Sequence, residues 1–496
     1  MIKKIILLLL IILTISFSLS FASDKIRIGL DYNKTIDSIQ LSSQNDFLAI
    51  KDDQIIYDLK ANKINLKKSN NFHLKFDRKF DTLEDALLYV ELYQSKGFTS
   101  FIHYSETYEV FIGEFSSEGE MKNAALKLEG VNYIYPNQLN VLVTFNDQVI
   151  FSYNTLEDID FTSNSILYYN EKPYRGAIRV KRFDSSDLTV INYLNLEEYL
   201  YGVIPKEMPV EWDIEALKAQ AIAARNFAVM HLGGYEVLGF DLTNDINSQV
   251  YAGVEVEDIR SNMAVNETKG ELLKYDDFIA STYYHSNSGG QTESAENVWQ
   301  SEAPYLKGIA DEYSENVHNS TWEKTYTLTQ ISLQLNNAGY DVGRIYDVVP
   351  VSISENNRIL ELLFKGTKED VILEKNDTRK IFGYFDIKSM WFDVQKGNDV
   401  RIVNSQKYYT ADITSKKIIT ASGIKDLSNY NTYDIYNGET VRSIETIIKN
   451  ITFKGRGFGH GIGMSQWGAK VMAERGHTYE DILLHYYSGT YLDRRK

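Results

Sequence analysis

The sequence predicts an α+β protein of several domains: a strand-rich N-terminal part containing one ferredoxin-like βαββαβ run, then a mixed α/β domain built round a buried alanine-rich helix. Three observations predict it. Short apolar runs alternate with polar residues through most of the chain before Leu194. Two helical patterns with capping-box starts interrupt them between Thr82 and Gly130. Beyond Leu194 the apolar spacing becomes helical, and Ala219 to Val229 is dense in alanine. The 496 residues correspond to about three domains as a length prior.

The chain opens as a secretory signal over 1–22: Lys3 and Lys4, the apolar stretch Ile5 to Leu19, and the small-residue site Ser20-Phe21-Ala22. The apolar run also matches the shortest transmembrane helix, so an uncleaved anchor is the alternative. Either way the remainder faces outward, secreted or at the outer face of the membrane, and this segment is its only membrane contact. The chain has no cysteine, so its stability rests on packing, and thiol nucleophiles and thiolate zinc sites are excluded. A net charge of −16 with dispersed Lys and Arg excludes nucleic acid as a partner.

From 23 to 70, runs such as Ile26-Arg27-Ile28 and Ile55-Ile56-Tyr57 read as short strands. Residues 71–137 hold the βαββαβ run. Its first helix starts at Thr82-x-x-Asp85, carries Leu83, Ala86, Leu87, Val90 and Tyr93 on one face, and stops at Gly97. Strands Phe98 to His103 and Tyr108 to Ile112 follow. A second box, Ser117-x-x-Glu120, opens the helix of Met121, Ala124, Ala125 and Leu128, which ends at Gly130 before the strand Val131 to Tyr135. This segment resembles the sporulation-related repeat (SPOR), through Tyr108-Glu109-Val110-Phe111-Ile112-Gly113. The resemblance implies binding to glycan strands that lack stem peptides. Residues 138–193 return to strands, for example Ile178-Arg179-Val180 and Leu188 to Ile191.

The final domain, 194–496, begins with LNLEEYLYGVIPKEMP, a short amphipathic helix followed by two prolines that bracket Lys206, Glu207 and Met208. Proline fixes φ on both sides of the acid. A carboxyl held among Ile204, Pro205, Met208 and Pro209 loses water, which raises its pKa toward what a general acid needs. The bland alternative is a solvated turn glutamate. Asp213 is the expected N-cap of a helix running to about Leu232 and stopped by Gly233; its small side chains predict burial behind the Glu207 loop. Arg225 on that helix needs a partner, either substrate or carboxylate on one reading, or backbone carbonyls on the other.

Phe278 to Ser286 reads as a strand breaking at Gly289-Gly290, which puts His285 at a strand end beside a polar loop. Gly455 to Gly463, GRGFGHGIG, has glycine at every second position and leads through Ser465 into a helix ending before Gly476. No phosphate-binding fingerprint fits it, and GMSQWG is not a nucleophile elbow. Alternating glycine instead predicts a backbone that a ligand or another strand approaches closely, with His460 as a polar candidate.

Together these motifs resemble the stage II sporulation protein D and amidase-enhancer LytB family. The match takes in LNLEEYLYGVIPKEMP, the helix with Arg225, Tyr284-His285-Ser286 with Ser288-Gly289-Gly290, Pro304-Tyr305-Leu306, GRGFGHGIGMSQWGA and His485-Tyr486-Tyr487, from near Tyr174 to Leu492. The resemblance implies a lytic transglycosylase acting on the glycan strands of denuded peptidoglycan, with Glu207 as catalyst. Arg225, His285, Ser288, His460 and Gln466 lie in the matching motifs and are expected to orient the saccharide. No cofactor or metal is expected, and no ligand-spaced pair such as H-E-x-x-H supports a zinc amidase on His285 and His460. The alternative is a non-catalytic, wall-binding enhancer whose partner is an N-acetylmuramoyl-L-alanine amidase. Residues 400–447 stand as an insertion relative to the family's spacing after Ser389-Met390-Trp391-Phe392, and are expected to serve as a lid.

Overall fold

The computed structural model describes residues 25–183, 187–299, 302–403 and 408–494, with short breaks at 413–416, 421–422, 427–431 and 437–440; from 398 to 447 it describes backbone only. The expected signal, 1–22, lies outside the described residues. Two compact units emerge: residues up to Val210 with Ala228–Lys269, and Glu211–Phe227 with Gly270–Lys496. Among the described residues no helix is long and apolar enough to cross a membrane.

The first unit is built on two sheets. One has seven strands in the order Leu242–Thr243, Lys25–Asp31, Thr189–Asn195, Ala177–Lys181, Asp160–Thr162, Leu48–Lys51 and Gln54–Asp58. The other has ten, ending in Ser100–Ser105, Thr107–Phe115, Phe72–Phe76 and Val131–Ile134. These last four strands and the helices Leu83–Ser95 and Glu118–Ala125 follow the strand and helix order read from the sequence. Both expected N-caps hold: the Thr82 side chain accepts from the Asp85 N–H, and the Ser117 side chain from the Glu120 N–H. The run does not stand alone, because Ser100–Ser105 pairs in parallel with Gln148–Asn154, Phe151 opposite Ile102. An edge strand exposes unpaired N–H and C=O groups, and this pairing satisfies them. Strands from 23–70 and 138–193 likewise interleave in both sheets. Here His103 is buried, its Nδ1 2.9 Å from Ser152 Oγ and its ring stacked 4.1 Å from Phe111. Burial, then the neighbouring His73 and Lys75, pull its pKa down to about 3.

The helix Leu196–Glu207 carries the candidate acid. Asn195 caps it, its Oδ1 accepting from the Glu197 N–H at 2.9 Å, and Tyr199, Leu200, Val203 and Ile204 are buried. Gly202 lets it seat tightly, since a Cβ there would lie 2.5 Å from the Tyr251 ring. The Tyr251 hydroxyl in turn donates to Asn192 Oδ1 at 2.8 Å, tying this corner to the strand Thr189–Asn195. One expectation is corrected: the helix does not stop before the prolines, for Pro205 lies inside it. A proline in the last turn removes a single backbone hydrogen bond, and the helix still closes through the Met208 N–H to Ile204 O at 3.0 Å. Met208 is then extended, at φ −131° and ψ 140°, and Pro209 follows the cap.

In the second unit a sheet of Thr321–Thr327, Val441–Arg456, Phe392–Val403 and Tyr408–Asp412 encloses, with the helix Leu328–Asn337 and the sheet Ile345–Ile353, Ile359–Gly366 and Val371–Glu374, a core that includes Trp322, Ile331, Val348, Phe364, Ile451 and Phe453. Where described, the backbone of 400–447 is strand, and Thr432–Tyr436 pairs with Val441–Arg456. The strand expected over Phe278 to Ser286 is two short ones, Phe278–Ile279 and Tyr284–His285. Between them the backbone is held by side chains instead: the Ser281 N–H donates to the Tyr305 hydroxyl at 3.0 Å, and Thr282 Oγ1 donates to Ala223 O at 2.7 Å.

Candidate functional site

Glu207 belongs to the first unit; Arg225, His285, Ser288, His460 and Gln466 belong to the second. Glu207 ends its helix between Ile204 and Met208, which are 0% and 1% exposed. Its own side chain is half-buried, so it is not sealed from water as the bracketing prolines suggested. It also acts on a neighbour: burial first, and the Glu207 charge second, hold the Tyr199 hydroxyl well above the ordinary phenol range.

The helix Ile214–Met230 starts where Asp213 Oδ1 accepts the Glu215 N–H at 2.9 Å, and it buries Ala216, Ala219, Ala221, Ala223 and Ala224. It ends two residues earlier than expected, the turn reaching Gly233 at φ 76°. Asn226 fastens it to the strand Glu271–Tyr275: its Nδ2 donates to Leu273 O at 2.6 Å and Ala280 O at 2.9 Å, and its Oδ1 accepts the Leu273 N–H at 2.9 Å. Arg225, 1% exposed, donates from Nη1 to Glu271 O at 3.3 Å, the carbonyl contact anticipated as one of its two readings. Gln466, half-buried, donates from Nε2 to Gln220 Oε1 at 3.4 Å.

The glycine loop is approached closely, and by the protein itself. Gly459, at φ 122°, faces the His285 side chain, where a Cβ would lie 2.6 Å from the His285 Cβ. Gly461, at φ 87°, faces the Arg358 guanidinium at 2.4 Å by the same measure. Two imidazoles then hold the backbone of one residue, Ile462, on both its sides. The Ile462 N–H donates to His460 Nδ1 at 3.0 Å, and Ile462 O lies 3.1 Å from His285 Nδ1, with the ring centroids 5.5 Å apart. A carbonyl only accepts, so this network assigns the His285 proton to Nδ1 and leaves Nε2 as a buried lone pair without a partner among the described residues. Burial first, then His460 and Arg358, hold the His285 pKa well below the ordinary histidine value; burial, Arg379 and Arg358 bring His460 down to about 3. Both rings are therefore neutral at pH 7, shaping the loop rather than supplying a proton.

Ser288 is fully buried and holds the same loop. Its hydroxyl donates to Asp311 Oδ2 at 2.7 Å and accepts the Gly290 N–H at 3.1 Å. The Asp311 carboxylate, also fully buried, takes the Tyr486 hydroxyl at 3.0 Å and the Ser314 hydroxyl as well. Asp311→Ala removes the acceptor of the Ser288 and Tyr486 hydroxyls, while the Ser314 hydroxyl keeps Ser465 Oγ at 2.7 Å. At about 1 to 3 kcal/mol for each buried donor left unsatisfied, a loss of at least about 2 kcal/mol is expected, and a melting curve unchanged from the parent chain would contradict this network.

Some residues of this region gave little local signal in the sequence. Arg358 sits in an unremarkable stretch, yet it is 2% exposed and donates from Nη2 to Ser288 O and Gln291 O, both at 3.1 Å. Trp299 and Tyr283 flank His460: the Trp299 ring is 4.9 Å from His460 and 4.3 Å from Tyr283. Their place at the ends of YYHSNSGGQTESAENVW was visible, but their meeting was not.

Comparison with known proteins agrees with these motifs. A family described as Stage II sporulation protein matches residues 184–275, a stretch that includes both Glu207 and Arg225, and a domain of unknown function (DUF8618) matches 313–411. An uncharacterised protein of Brachyspira hyodysenteriae is 30% identical over 330 residues, covering 66% of this chain and 73% of that one. The amidase enhancer of Bacillus subtilis is 30% identical over 59% of this chain but only 40% of its own length. The stage II sporulation protein D of Bacillus subtilis is 29% identical over 60% of this chain and 75% of its own. With its motifs in order, and with the Brachyspira protein and the stage II sporulation protein D each matched over about three quarters of its length, this chain belongs to the stage II sporulation protein D and amidase-enhancer LytB family.

Proposed function

We propose that this chain, a member of a family tied to sporulation and the cell wall, is a lytic transglycosylase that cuts the glycan of denuded peptidoglycan, on the outer side of the membrane. One observation carries the reading: Glu207 stands half-buried at the end of a helix, between two sealed apolar residues, within the stretch shared with the family. A carboxyl carried at the end of a helix, neither fully buried nor fully exposed, is the type of group that general acid catalysis uses.

The chemistry needs only that acid. Glu207 donates its proton to the oxygen bridging N-acetylmuramic acid to N-acetylglucosamine, and the glycosidic bond breaks as positive charge develops at the anomeric carbon. The resulting carboxylate takes the proton of the muramic acid 6-hydroxyl, whose oxygen bonds to that carbon and closes a 1,6-anhydro ring. Glu207 is thereby reprotonated and no water is consumed. The attacking hydroxyl belongs to the same sugar, so its effective concentration is high. In this scheme Arg225, His285, Ser288 and His460 hold the scaffold of the second unit, and Gln466 is read as a saccharide-binding residue. The βαββαβ run is read as a SPOR-type module that keeps the chain on peptide-free strands.

The amidase-enhancer name borne by one relative favours a second reading, in which the chain binds wall and stimulates a separate amidase without cutting glycan. Incubation with denuded glycan separates the two. Mass spectrometry is expected to show anhydro-ended fragments; their absence, together with acceleration of an added amidase, would establish the second reading.

A further inference from the structure

Trp212 and Trp467 meet edge to face in the second unit, ring centroids 4.9 Å apart, and both are half-exposed. Neither is needed by the catalytic scheme. The Lys470 ammonium lies over both rings, 5.9 Å from the Trp212 centroid and 5.6 Å from that of Trp467, and the exposed His318 ring packs 5.3 Å from Trp467. Two amides border this corner: Gln466, next in the chain to Trp467, and Gln220, fully buried, whose Nε2 has no acceptor among the described residues. Half-exposed indoles beside amide donors suit a pyranose, whose C–H faces stack on aromatic rings while its hydroxyl and acetamido groups hydrogen-bond at the edge.

The ammonium adds a choice between sugars. Lys470 pairs with Glu474 four residues on, and the Glu474 side chain is 52% exposed. Such a partly exposed i,i+4 pair contributes little by itself, so a ligand carboxylate displaces it at little cost. A carboxylate drawn to Lys470 brings its sugar ring onto the indoles. In peptidoglycan the sugar that carries a carboxylate is muramic acid, through its lactyl group, and that group is free only after the stem peptide is removed.

We propose that Trp212 and Trp467 form a saccharide-stacking subsite, and that Lys470 selects glycan whose muramic acid bears a free lactyl carboxylate. This rests on the reading of the chain as one that acts on denuded glycan, yet it is testable separately. The full chain carrying Glu207→Gln, which blocks turnover, is titrated calorimetrically with two probes: a denuded glycan tetrasaccharide, and the same tetrasaccharide with its lactyl groups converted to methylamides. Adding Lys470→Met is expected to weaken the first about tenfold, the size of one charge-assisted hydrogen bond, and the second less than twofold. Adding Trp467→Leu is expected to weaken both at least fivefold. Melting curves check that each variant folds, and Trp467→Phe, which keeps a ring face, is expected to restore part of the loss. Equal effects of Lys470→Met on the two probes, or none on either, would overturn the carboxylate selection; unchanged binding by Trp467→Leu would overturn the stacking. If the parent chain releases no anhydro ends but the Lys470 preference persists, the transglycosylase reading falls and the subsite stands.

Discussion

Glu207→Gln is expected to lower the release of anhydro-ended fragments from denuded glycan at least about 100-fold, the usual scale for loss of a general acid. The amide keeps the shape of the side chain and its place beside Met208, but it has no acidic proton to give the bridging oxygen and no carboxylate to receive the 6-hydroxyl proton. Binding of glycan should survive, because nothing in the replacement alters the surface around it. The loss therefore belongs in kcat, with KM little changed. A variant that retains more than a tenth of the parent rate would remove Glu207 from the chemistry. Retained amidase stimulation by the same variant would then point to the enhancer role.

Acid should unfold this chain through histidines that the fold keeps neutral. His103 ordinarily titrates near 6.5, but in the ten-stranded sheet its pKa is about 3. Between those values the unfolded chain binds a proton that the folded chain refuses, so stability falls as pH drops. The contribution is fully present above about pH 6.5 and is lost progressively toward pH 3. Over that span His103 alone is worth on the order of 4 to 5 kcal/mol. His285 and His460, both depressed, act with the same sign in the second unit. Carboxylates titrate over part of the same range, so the informative quantity is a difference. His103→Gln keeps a polar group opposite Ser152 Oγ and does not titrate. Urea midpoints at pH 7 and pH 4.5 are expected to differ much less for this variant than for the parent chain. Identical pH dependence of the two would show that His103 is not what acid attacks.

Local signals in this chain proved sound where one element carries them. Thr82, Ser117 and Asp213 cap the starts of three helices because a short oxygen side chain before a helical run satisfies N–H groups that the helix itself cannot. Alternating glycines announced a closely approached backbone, and a Cβ at Gly459 or Gly461 would collide with a neighbour. The helix end at Glu207 was misread because a proline usually stops a helix, whereas in the last turn it removes only one bond.

Sequence alone determined the helix starts, the glycine loop, the buried alanine helix and the family motifs around Glu207, because each depends on residues within a turn or two of one another. Tertiary structure alone decided that strands from 23–70, 71–137 and 138–193 share sheets, that Arg358 comes against Gly461, and that His460 and His285 take the N–H and the C=O of Ile462. The physical reason is range. A strand's alternation declares that it has a buried face but not which strand will pair with it, and a buried imidazole takes its pKa from its burial and then from groups distant in the chain, as His285 does from His460 and Arg358.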